Sequence, residues 1–535
     1  MKAQSSPFPS ACATRSRVGR WLHRAAAVGS MLLAASSVPV QAQEPKNVAA
    51  VINLDTPGAR IEPQIYGQFA EHLGRGIYEG IWVGPDSRIP NIKGFRKDVL
   101  DALKRIHVPV VRWPGGCFSE VYDWRDGIGP RSQRPVRTRM NWDDVTDTNQ
   151  FGTHEFLDFM ELLGAEAYVS GNVGSMSPRD MQLWLEYMTA DNDSTLAKQR
   201  RSNGRAKPWT IKYFGIGNET WGCGGNMRPE FAADVNARYS AFVKAPKSMA
   251  MIRVASGASV QGGGDYEAFT EAMMKNPGET EALSFHYYAM PMGRPKSEAT
   301  GFSESDWSDV LDLARQMEPM LSRVEAIMDK HDPQRKMPLF VDEWGTWYKL
   351  DRNALAGEHH FQQNSLRDAM VAALTLNIFH RHTDRVKMAN IAQMVNVLQA
   401  MILTDKERMI LTPTYHVFDM YQPFMGATPF PAAVAGPDYV NGARKMPMVD
   451  MSAARARDGK LYVAIVNTDP RQPARVETNL TGTATGRVLT APAIDTINSF
   501  EQPNAVRPQP FAGRLENGRL TFLVPAKSVV VVNVE

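Results

Sequence analysis

The sequence is poor in cysteine and has almost no charge imbalance. Its 535 residues include 3 cysteines, and 60 lysines and arginines stand against 57 aspartates and glutamates. Such a balance offers no argument for nucleic acid as a partner. Hydrophobic residues at 43% and charged residues at 22% exclude a disordered or fibrous chain. A chain of this length predicts one large domain and a smaller one.

Long apolar runs are also scarce, and the most conspicuous one lies near the N-terminus. Five basic residues, the last of them Arg24, precede an apolar run over residues 25–38, and Val40-Gln41-Ala42 matches a signal-peptidase site. The run is short for a membrane span. We therefore expect residues 1–42 to be a signal peptide and the protein to be secreted or periplasmic, with no membrane attachment after cleavage. An uncleaved anchor is the alternative. Without this segment the formal net charge of +3 becomes slightly negative.

Two cysteines remain outside this segment, Cys117 and Cys223. Each lies in a Gly-rich loop after a predicted strand, so the two side chains can lie near each other. In an exported protein such a pair can form a disulfide or remain as two thiols. We expect free thiols that line a pocket.

Strand-like apolar runs alternate with amphipathic helical stretches through most of the chain. For example, residues 93–106 predict a helix and residues 108–113 the next strand. Repeated alternation requires a parallel sheet, and about eight such units predict a closed (β/α)8 TIM barrel, which we assign to residues 58–425.

The sequence pattern changes beyond residue 426. Short β-branched segments separated by Gly, Pro and Asn predict an antiparallel β-sandwich, jelly-roll-like, over residues 426–535. Residues 49–54 also read as a strand, ahead of the barrel. We expect the N-terminal segment 43–57 to pair with the sandwich.

Two of the predicted barrel strands end in a glutamate. Asn218-Glu219 follows one apolar run, and Glu343 lies in Asp342-Glu343-Trp344 at the end of another. Catalytic side chains collect at the C-terminal strand ends of such barrels. A glycosidase needs a pair of carboxyls, one to protonate the leaving oxygen and one to attack or stabilise the sugar cation. The alternatives are a turn cap for Glu219 and a structural salt bridge for Glu343.

Five short motifs occur in order along the predicted barrel. They cover residues 67–75, 111–118, 217–225, 284–288 and 390–396. Together they resemble the family-51 α-L-arabinofuranosidases, barrel enzymes of glycoside hydrolase clan A. The resemblance implies a retaining, exo-acting enzyme that releases terminal non-reducing α-L-arabinofuranosyl residues from arabinan, arabinoxylan and their oligosaccharides, without cofactor or metal. It also implies a homo-oligomer.

The resemblance assigns roles residue by residue. Glu219 is expected to be the general acid/base and Glu343 the nucleophile, with the two carboxyls ~5 Å apart. The substrate-binding residues that it implies are Glu71, Arg112, Cys117, Trp142, Asn218, Trp221, His286, Tyr288, Trp347 and Gln393. Arg112 or Tyr288 can hold Glu343 in its ionised form by hydrogen bonds. An ion pair with Arg75 or Arg112 is the structural alternative for Glu71.

Other functions are less well supported by the sequence. The pair His359-His360 and the nearby His380 have no cysteine or carboxylate partner at zinc spacing, so no metal site is expected. A β-xylosidase or an endo-β-glucanase of the same clan is the nearest alternative enzyme. A non-catalytic carbohydrate-binding barrel is the alternative outside the enzymes.

Overall fold

The computed structural model describes residues 44–139, 141, 145–260, 265–293, 295–350 and 359–535. The segment predicted as a signal peptide lies outside these residues. The strands, in chain order, are β1 (Lys46–Ile52), β2 (Gly67–Phe69), β3 (Asn91–Ile92), β4 (Phe95–Arg96), β5 (Val110–Trp113), β6 (Arg137–Thr138), β7 (Thr146–Asp147), β8 (Glu166–Ser170), β9 (Tyr213–Ile216), β10 (Ile252–Ala255), β11 (Ala282–Ala289), β12 (Leu339–Thr346), β13 (Val386–Ala392), β14 (Ile402–Asp405), β15 (Arg408–Leu411), β16 (Thr428–Phe430), β17 (Ala432–Ala435), β18 (Asp438–Asn441), β19 (Arg444–Pro447), β20 (Val449–Arg455), β21 (Leu461–Asn467), β22 (Ala474–Thr478), β23 (Ala484–Leu489), β24 (Gln509–Ala512), β25 (Arg514–Glu516), β26 (Arg519–Val524) and β27 (Ser528–Val534). The α-helices are α1 (Lys97–Arg105), α2 (Thr153–Leu163), α3 (Pro178–Thr189), α4 (Thr195–Ser202), α5 (Pro229–Ser240), α6 (Tyr266–Lys275), α7 (Glu304–Arg315), α8 (Met317–His331), α9 (Leu366–Arg381) and α10 (Pro413–Tyr421).

Eight parallel strands close into a barrel, which confirms the predicted fold. Around the barrel they follow chain order, β2, β5, β8, β9, β10, β11, β12 and β13, and β13 pairs back to β2. Every residue of β11 and β12 is buried. Strands covered on both faces by side chains and helices are continuously apolar rather than alternating, which is why the barrel strands stand out in the sequence.

The barrel helices begin where the sequence supplies caps. Ser177, Ser303 and Ser365 each form a capping box with an aspartate three residues later, at the starts of α3, α7 and α9. The helix predicted over residues 93–106 begins later, at Lys97. Gly94, with φ +102°, forms the turn of the short hairpin β3–β4 ahead of it. Glycine adopts this left-handed backbone at little cost. The chain therefore turns at Gly94, and the helix begins only after the hairpin.

A β-sandwich of two sheets completes the fold. One sheet has the order β17-β1-β22-β26-β25 and the other β16-β20-β21-β27-β23-β24. The N-terminal strand β1 lies between β17, to which it is antiparallel, and β22, to which it is parallel. Helix α9 packs against the barrel strand β12 on one side and against β20, β21 and β27 on the other. It is therefore buried from Leu366 through His380.

Among the residues that the structure describes, no helix has both the length and the apolar character that crossing a bilayer requires.

Candidate active site

The C-terminal edge of the barrel gathers most of the side chains that the sequence singles out. Parallel strands end at one edge of a barrel, so residues far apart in sequence converge there. Arg112 lies in β5, His286 and Tyr288 in β11, and Glu343 in β12, while Glu71, Asn218, Glu219 and Gln393 follow β2, β9 and β13. Trp142 is outside the described residues.

Glu343 is held by three side chains, two from the adjacent strand β11 and one from β5 across the barrel. Tyr288 donates its hydroxyl to Oε1 at 2.6 Å, and Arg112 Nη1 donates to Oε2 at 3.1 Å. His286 Nδ1 lies 3.3 Å from the same Oε2. Burial raises the pKa of Glu343, while His286, Arg112 and Tyr288 all favour its ionised form.

Asp342 is a member of this cluster that the sequence did not single out as a site residue. Its carboxylate lies 3.4 Å from Arg112 Nε and 3.1 Å from His286 Nε2, and Tyr168 donates its hydroxyl to it at 2.7 Å. Although burial opposes ionisation, Arg112 and His286 hold the pKa of Asp342 below its ordinary value. Strand alternation predicts opposite directions for Asp342 and Glu343. The pairing of β11 with β12 shifts register between Ser284 and His286, however, and such an irregularity re-aims side chains.

His286 bridges the two strand ends that carry the glutamates. Its Nδ1 lies 3.0 Å from Glu219 Oε1, in addition to its contacts with Glu343 and Asp342. Burial alone would lower the pKa of His286, but Glu343, Asp342 and Glu219 together raise it to about 10. One carboxylate oxygen of Glu219, one of Glu343 and a ring nitrogen of His286 all lie within 4.8 Å of one another.

Glu219 lies in the loop after β9 and has a left-handed backbone, with φ +41°. Its side chain is 17% exposed, against 10% for Glu343. Its carbonyl accepts hydrogen bonds from the backbone N–H groups of Gly222 and Gly224 at 2.7 and 3.1 Å, which close the loop into a tight turn. Glu219 is thus the member of the pair that is open to solvent.

Cys117 and Cys223 form a disulfide, so the expectation of two free thiols is wrong. The loops after β5 and β9 converge until the two Cα atoms lie 5.6 Å apart, within the usual range for a disulfide. The sulfurs lie 3.9 and 3.8 Å from Glu219 Oε2. The disulfide therefore forms one wall beside this carboxylate.

Glu71, after β2, and Gln393, after β13, form a reciprocal hydrogen-bonded pair. Gln393 donates its amide to Glu71 Oε2 at 3.0 Å and accepts the Glu71 backbone N–H at 3.2 Å, while the Phe118 N–H donates to Glu71 Oε1 at 3.1 Å. Burial and the charge of Glu343 raise the pKa of Glu71 to about 8. The N–H groups of Phe118 and Gln393 oppose this shift, because they favour the ionised carboxylate.

Two of the tryptophans that the sequence singled out lie around this cluster. Trp347 contacts Tyr288 edge-on, with ring centroids 5.2 Å apart, and carries the Lys296 ammonium over its face at 3.9 Å. Trp221 is half-buried and follows Glu219 by two residues. Flat aromatic faces of this kind can pack against the apolar face of a sugar.

A closed (β/α)8 barrel with two close carboxyls at its C-terminal edge defines the class of barrel glycosidases. Comparison with known proteins gives the family. Residues 102–300 match the family described as "Alpha-L-arabinofuranosidase 1 domain", and residues 342–528 match "Alpha-L-arabinofuranosidase C-terminal domain". The chain belongs to the α-L-arabinofuranosidases of glycoside hydrolase family 51, which confirms the resemblance.

Individual relatives agree with this placement. An "intracellular exo-alpha-L-arabinofuranosidase" of Bacteroides ovatus is 45% identical over 94% of this chain and 98% of its own. The crystal structure of the GH51 arabinofuranosidase from Xanthomonas axonopodis pv. citri is 48% identical, with a TM-score of 0.89 over 92% of this chain and 100% of that chain. An α-L-arabinofuranosidase from Thermotoga maritima, crystallised with arabinose, is 29% identical, with a TM-score of 0.80 over 91% of this chain and 100% of that chain.

The prediction of a secreted or periplasmic protein is wrong. The Bacteroides ovatus relative, which matches nearly the whole chain, is named an intracellular enzyme. A basic segment followed by an apolar run has the composition of an export signal. Composition alone, however, does not show that an export pathway recognises the segment.

Proposed function

We propose that this α-L-arabinofuranosidase is exo-acting and retaining, and that it releases terminal non-reducing α-L-arabinofuranosyl residues from arabinan, arabinoxylan and their oligosaccharides. The observation that carries the proposal is the closeness of the two carboxyls. Oxygens of Glu219 and Glu343 lie within 4.8 Å of each other. Retaining enzymes hold their carboxyls about 5–5.5 Å apart, whereas inverting enzymes leave room for a water molecule at roughly 6.5–9.5 Å.

In the first step Glu343 attacks the anomeric carbon and Glu219 protonates the leaving oxygen. Three donors face Glu343, namely Tyr288, Arg112 and His286. Of these, His286 also faces Glu219. The larger number of donors on Glu343 favours its ionised form, which is the form that attacks the anomeric carbon.

In the second step Glu219 acts as a base toward water. Formation of the glycosyl ester removes the negative charge of Glu343, which lies close to Glu219. The loss of that repulsion favours an ionised Glu219, which can take a proton from the water that attacks the anomeric carbon. Its greater exposure, 17% of the side chain, fits a group that water must reach.

The remaining polar groups would hold the sugar through its hydroxyls. Asn218 is fixed because its Oδ1 accepts a hydrogen bond from Arg112 Nη2 at 2.5 Å, and it would bind the hydroxyl beside the anomeric carbon. Glu71 and Gln393 would bind further hydroxyls, and Cys117 would contribute a disulfide sulfur to the wall. Trp221 and Trp347 would shape the mouth of the pocket.

The domain assignment is proposed on the same basis. Residues 58–425 would form the catalytic barrel, residues 426–535 the β-sandwich, and residues 43–57 a strand segment of that sandwich. The position of β1 between β17 and β22 supports this division.

Stereochemistry tests the proposal directly. The enzyme is incubated with 4-nitrophenyl α-L-arabinofuranoside in methanol-containing buffer, and the anomeric proton of the first-formed methyl glycoside is followed by NMR. We expect the α-anomer. A β-anomer would refute retention, and release of internal oligosaccharides instead of arabinose from a linear arabinan would refute exo action.

A further inference from the structure

Glu120 is a buried carboxylate that the proposed reaction does not use. It lies in the 3-10 helix Cys117–Val121, which follows β5, and it is 1% exposed. Burial raises its pKa to about 7. A carboxylate in such a place is unfavourable unless hydrogen bonds satisfy it.

The partners of Glu120 are backbone N–H groups of two neighbouring loops. Oε2 accepts the N–H groups of Val173 and Gly174, in the loop after β8, at 2.8 and 2.7 Å. Oε1 accepts the N–H of Asn218, in the loop after β9. A single side chain therefore ties the segment after β5 to the Gly217–Asn218 peptide, one residue before Glu219.

The backbone around this carboxylate is packed too closely for other side chains. A Cβ added at Gly217 or Gly224 would lie 3.1 or 3.2 Å from Oε1, and one added at Gly174 would lie 3.1 Å from Oε2. The three glycines allow the loops to enclose the carboxylate. The enclosure leaves little room for the Gly217–Asn218 peptide to shift.

Glu219 needs such support because its backbone is unusual. Its φ of +41° is a conformation that residues other than glycine rarely adopt, and such a conformation persists only where the surroundings hold it. The Cys117–Cys223 disulfide ties the same 3-10 helix to the far end of the same loop. The loop is thus held covalently at residue 223 and by Glu120 at residue 218.

We propose that Glu120 is a positioning residue that sets the direction of the Glu219 carboxyl by fixing the Asn218 N–H. The proposal rests on the proposed role of Glu219 as general acid/base. Glu120 itself touches neither the sugar nor the reacting atoms. Its contribution would appear only where the reaction needs a proton from Glu219.

The variant Glu120→Gln tests this with little change of shape. Two N–H groups face Oε2 and one faces Oε1, so the glutamine oxygen should keep the Val173 and Gly174 contacts and turn its NH2 toward Asn218. The Asn218 contact is then lost. We expect kcat/KM to fall about 10²-fold for arabinofuranosides with poor leaving groups, because a misplacement of about 1 Å costs that much. For a 2,4-dinitrophenyl leaving group, which needs no proton, we expect less than about a 3-fold change.

The measurement is the dependence of kcat/KM on leaving-group pKa over a series of aryl α-L-arabinofuranosides. Azide is added as a second readout, since it attacks the glycosyl-enzyme without a general base and should raise kcat of Glu120→Gln on the activated substrate. The matched control is Glu155→Gln. Like Glu120, Glu155 is a buried carboxylate that accepts a backbone N–H, here from Gly152 at 2.9 Å, but it caps helix α2 instead of supporting the loop after β9. The control variant should lose thermal stability, but its kcat/KM should depend on leaving-group pKa as that of the wild type does.

The outcomes separate the two proposals. If kcat/KM depends steeply on leaving-group pKa in Glu219→Ala but no more steeply than in the wild type in Glu120→Gln, the positioning role is refuted while the acid/base role stands. If Glu219→Ala itself shows no leaving-group dependence, the proposed function fails first. Should Glu120→Gln not fold, Glu120→Asp, which withdraws the carboxylate by one methylene, is measured on the same series and must show the same steepening.

Discussion

The two strand ends that carry the glutamates are built in different ways. At the end of β12, Glu343 is held by charged and hydroxyl side chains from β5 and β11. After the end of β9, Glu219 is placed by its own backbone conformation, by the Cys117–Cys223 disulfide and by the hydrogen bond that the Asn218 N–H donates to Glu120. The β12 end therefore depends on electrostatics and the β9 end on loop geometry. Mutations at the two ends should fail in different ways.

The largest effect is expected at the β12 end. Glu343→Ala removes the attacking carboxylate, and we expect kcat on 4-nitrophenyl α-L-arabinofuranoside to fall by about five orders of magnitude. Azide should restore part of the activity and give the inverted β-azide, identified by NMR. A loss smaller than about 100-fold would place the nucleophile elsewhere.

A smaller and more selective loss is expected at the β9 end. Glu219→Ala should lower kcat/KM about 10²–10⁴-fold on arabinoxylo-oligosaccharides, whose leaving oxygen needs a proton. On the 2,4-dinitrophenyl substrate kcat/KM should stay close to that of the wild type. Equal losses on both substrates would contradict the difference between the two ends.

Asp342→Asn probes the electrostatics of the β12 end without removing either glutamate. Asp342 helps to raise the pKa of His286 to about 10, so neutralising Asp342 should lower that pKa. Protonated His286 favours the ionised form of Glu343. Loss of its proton at lower pH should therefore move the alkaline limb of kcat/KM to lower pH. The stability that protonated His286 contributes is fully present below its unfolded pKa of about 6.5, and it disappears as the pH rises through about 10. The variant should therefore lose stability at pH 7, by about 3–5 kcal/mol, and less above pH 10.

Tyr168→Phe is the control for this prediction. It removes the hydrogen bond to Asp342 and keeps the charge, so the alkaline limb should stay where it is in the wild type. A shift equal to that of Asp342→Asn would mean that the network acts through packing and not through charge.

The smallest effect on activity is expected from the disulfide. The double variant Cys117→Ser/Cys223→Ser opens a link between residues 106 apart, and we expect a loss of about 2–4 kcal/mol of unfolding free energy. Its kcat/KM at 25 °C should change little, because Glu120 still holds the loop. Thermal unfolding with and without a reductant gives the check: the wild type should be sensitive to the reductant and the double variant insensitive.

The parts of the site that sequence could predict are those whose signal is local. Glu219 and Glu343 each end a continuous apolar run, and Arg112, His286 and Gln393 lie in short contiguous motifs. Asp342 was visible beside Glu343, but strand alternation predicts that it points away from the site. The register shift between β11 and β12 reverses that expectation. This shift could not be predicted from residues 339–346 alone, because it arises in the pairing of two strands.

Contacts between distant segments could not be predicted in the same way. Glu120 meets N–H groups that lie 53, 54 and 98 residues further along the chain. The pairing of Cys117 with Cys223 likewise depends on how closely two loops approach, which sequence separation does not determine. Residues 1–42 show the opposite error, because their local composition predicted an exported protein, whereas the Bacteroides ovatus relative is named an intracellular enzyme.

By itself, the sequence determined the alternation of strands and helices, the change to short β-branched strands, and which residues stand at strand ends. These features follow from local periodicity, which each segment carries within itself. Only the tertiary structure decided which charges lie together, that two cysteines form a disulfide, and that Glu120 accepts the N–H of Asn218. The reason is that closure of the barrel brings the C-terminal ends of its eight strands to one edge, and electrostatic interactions depend on distance in space and not along the chain.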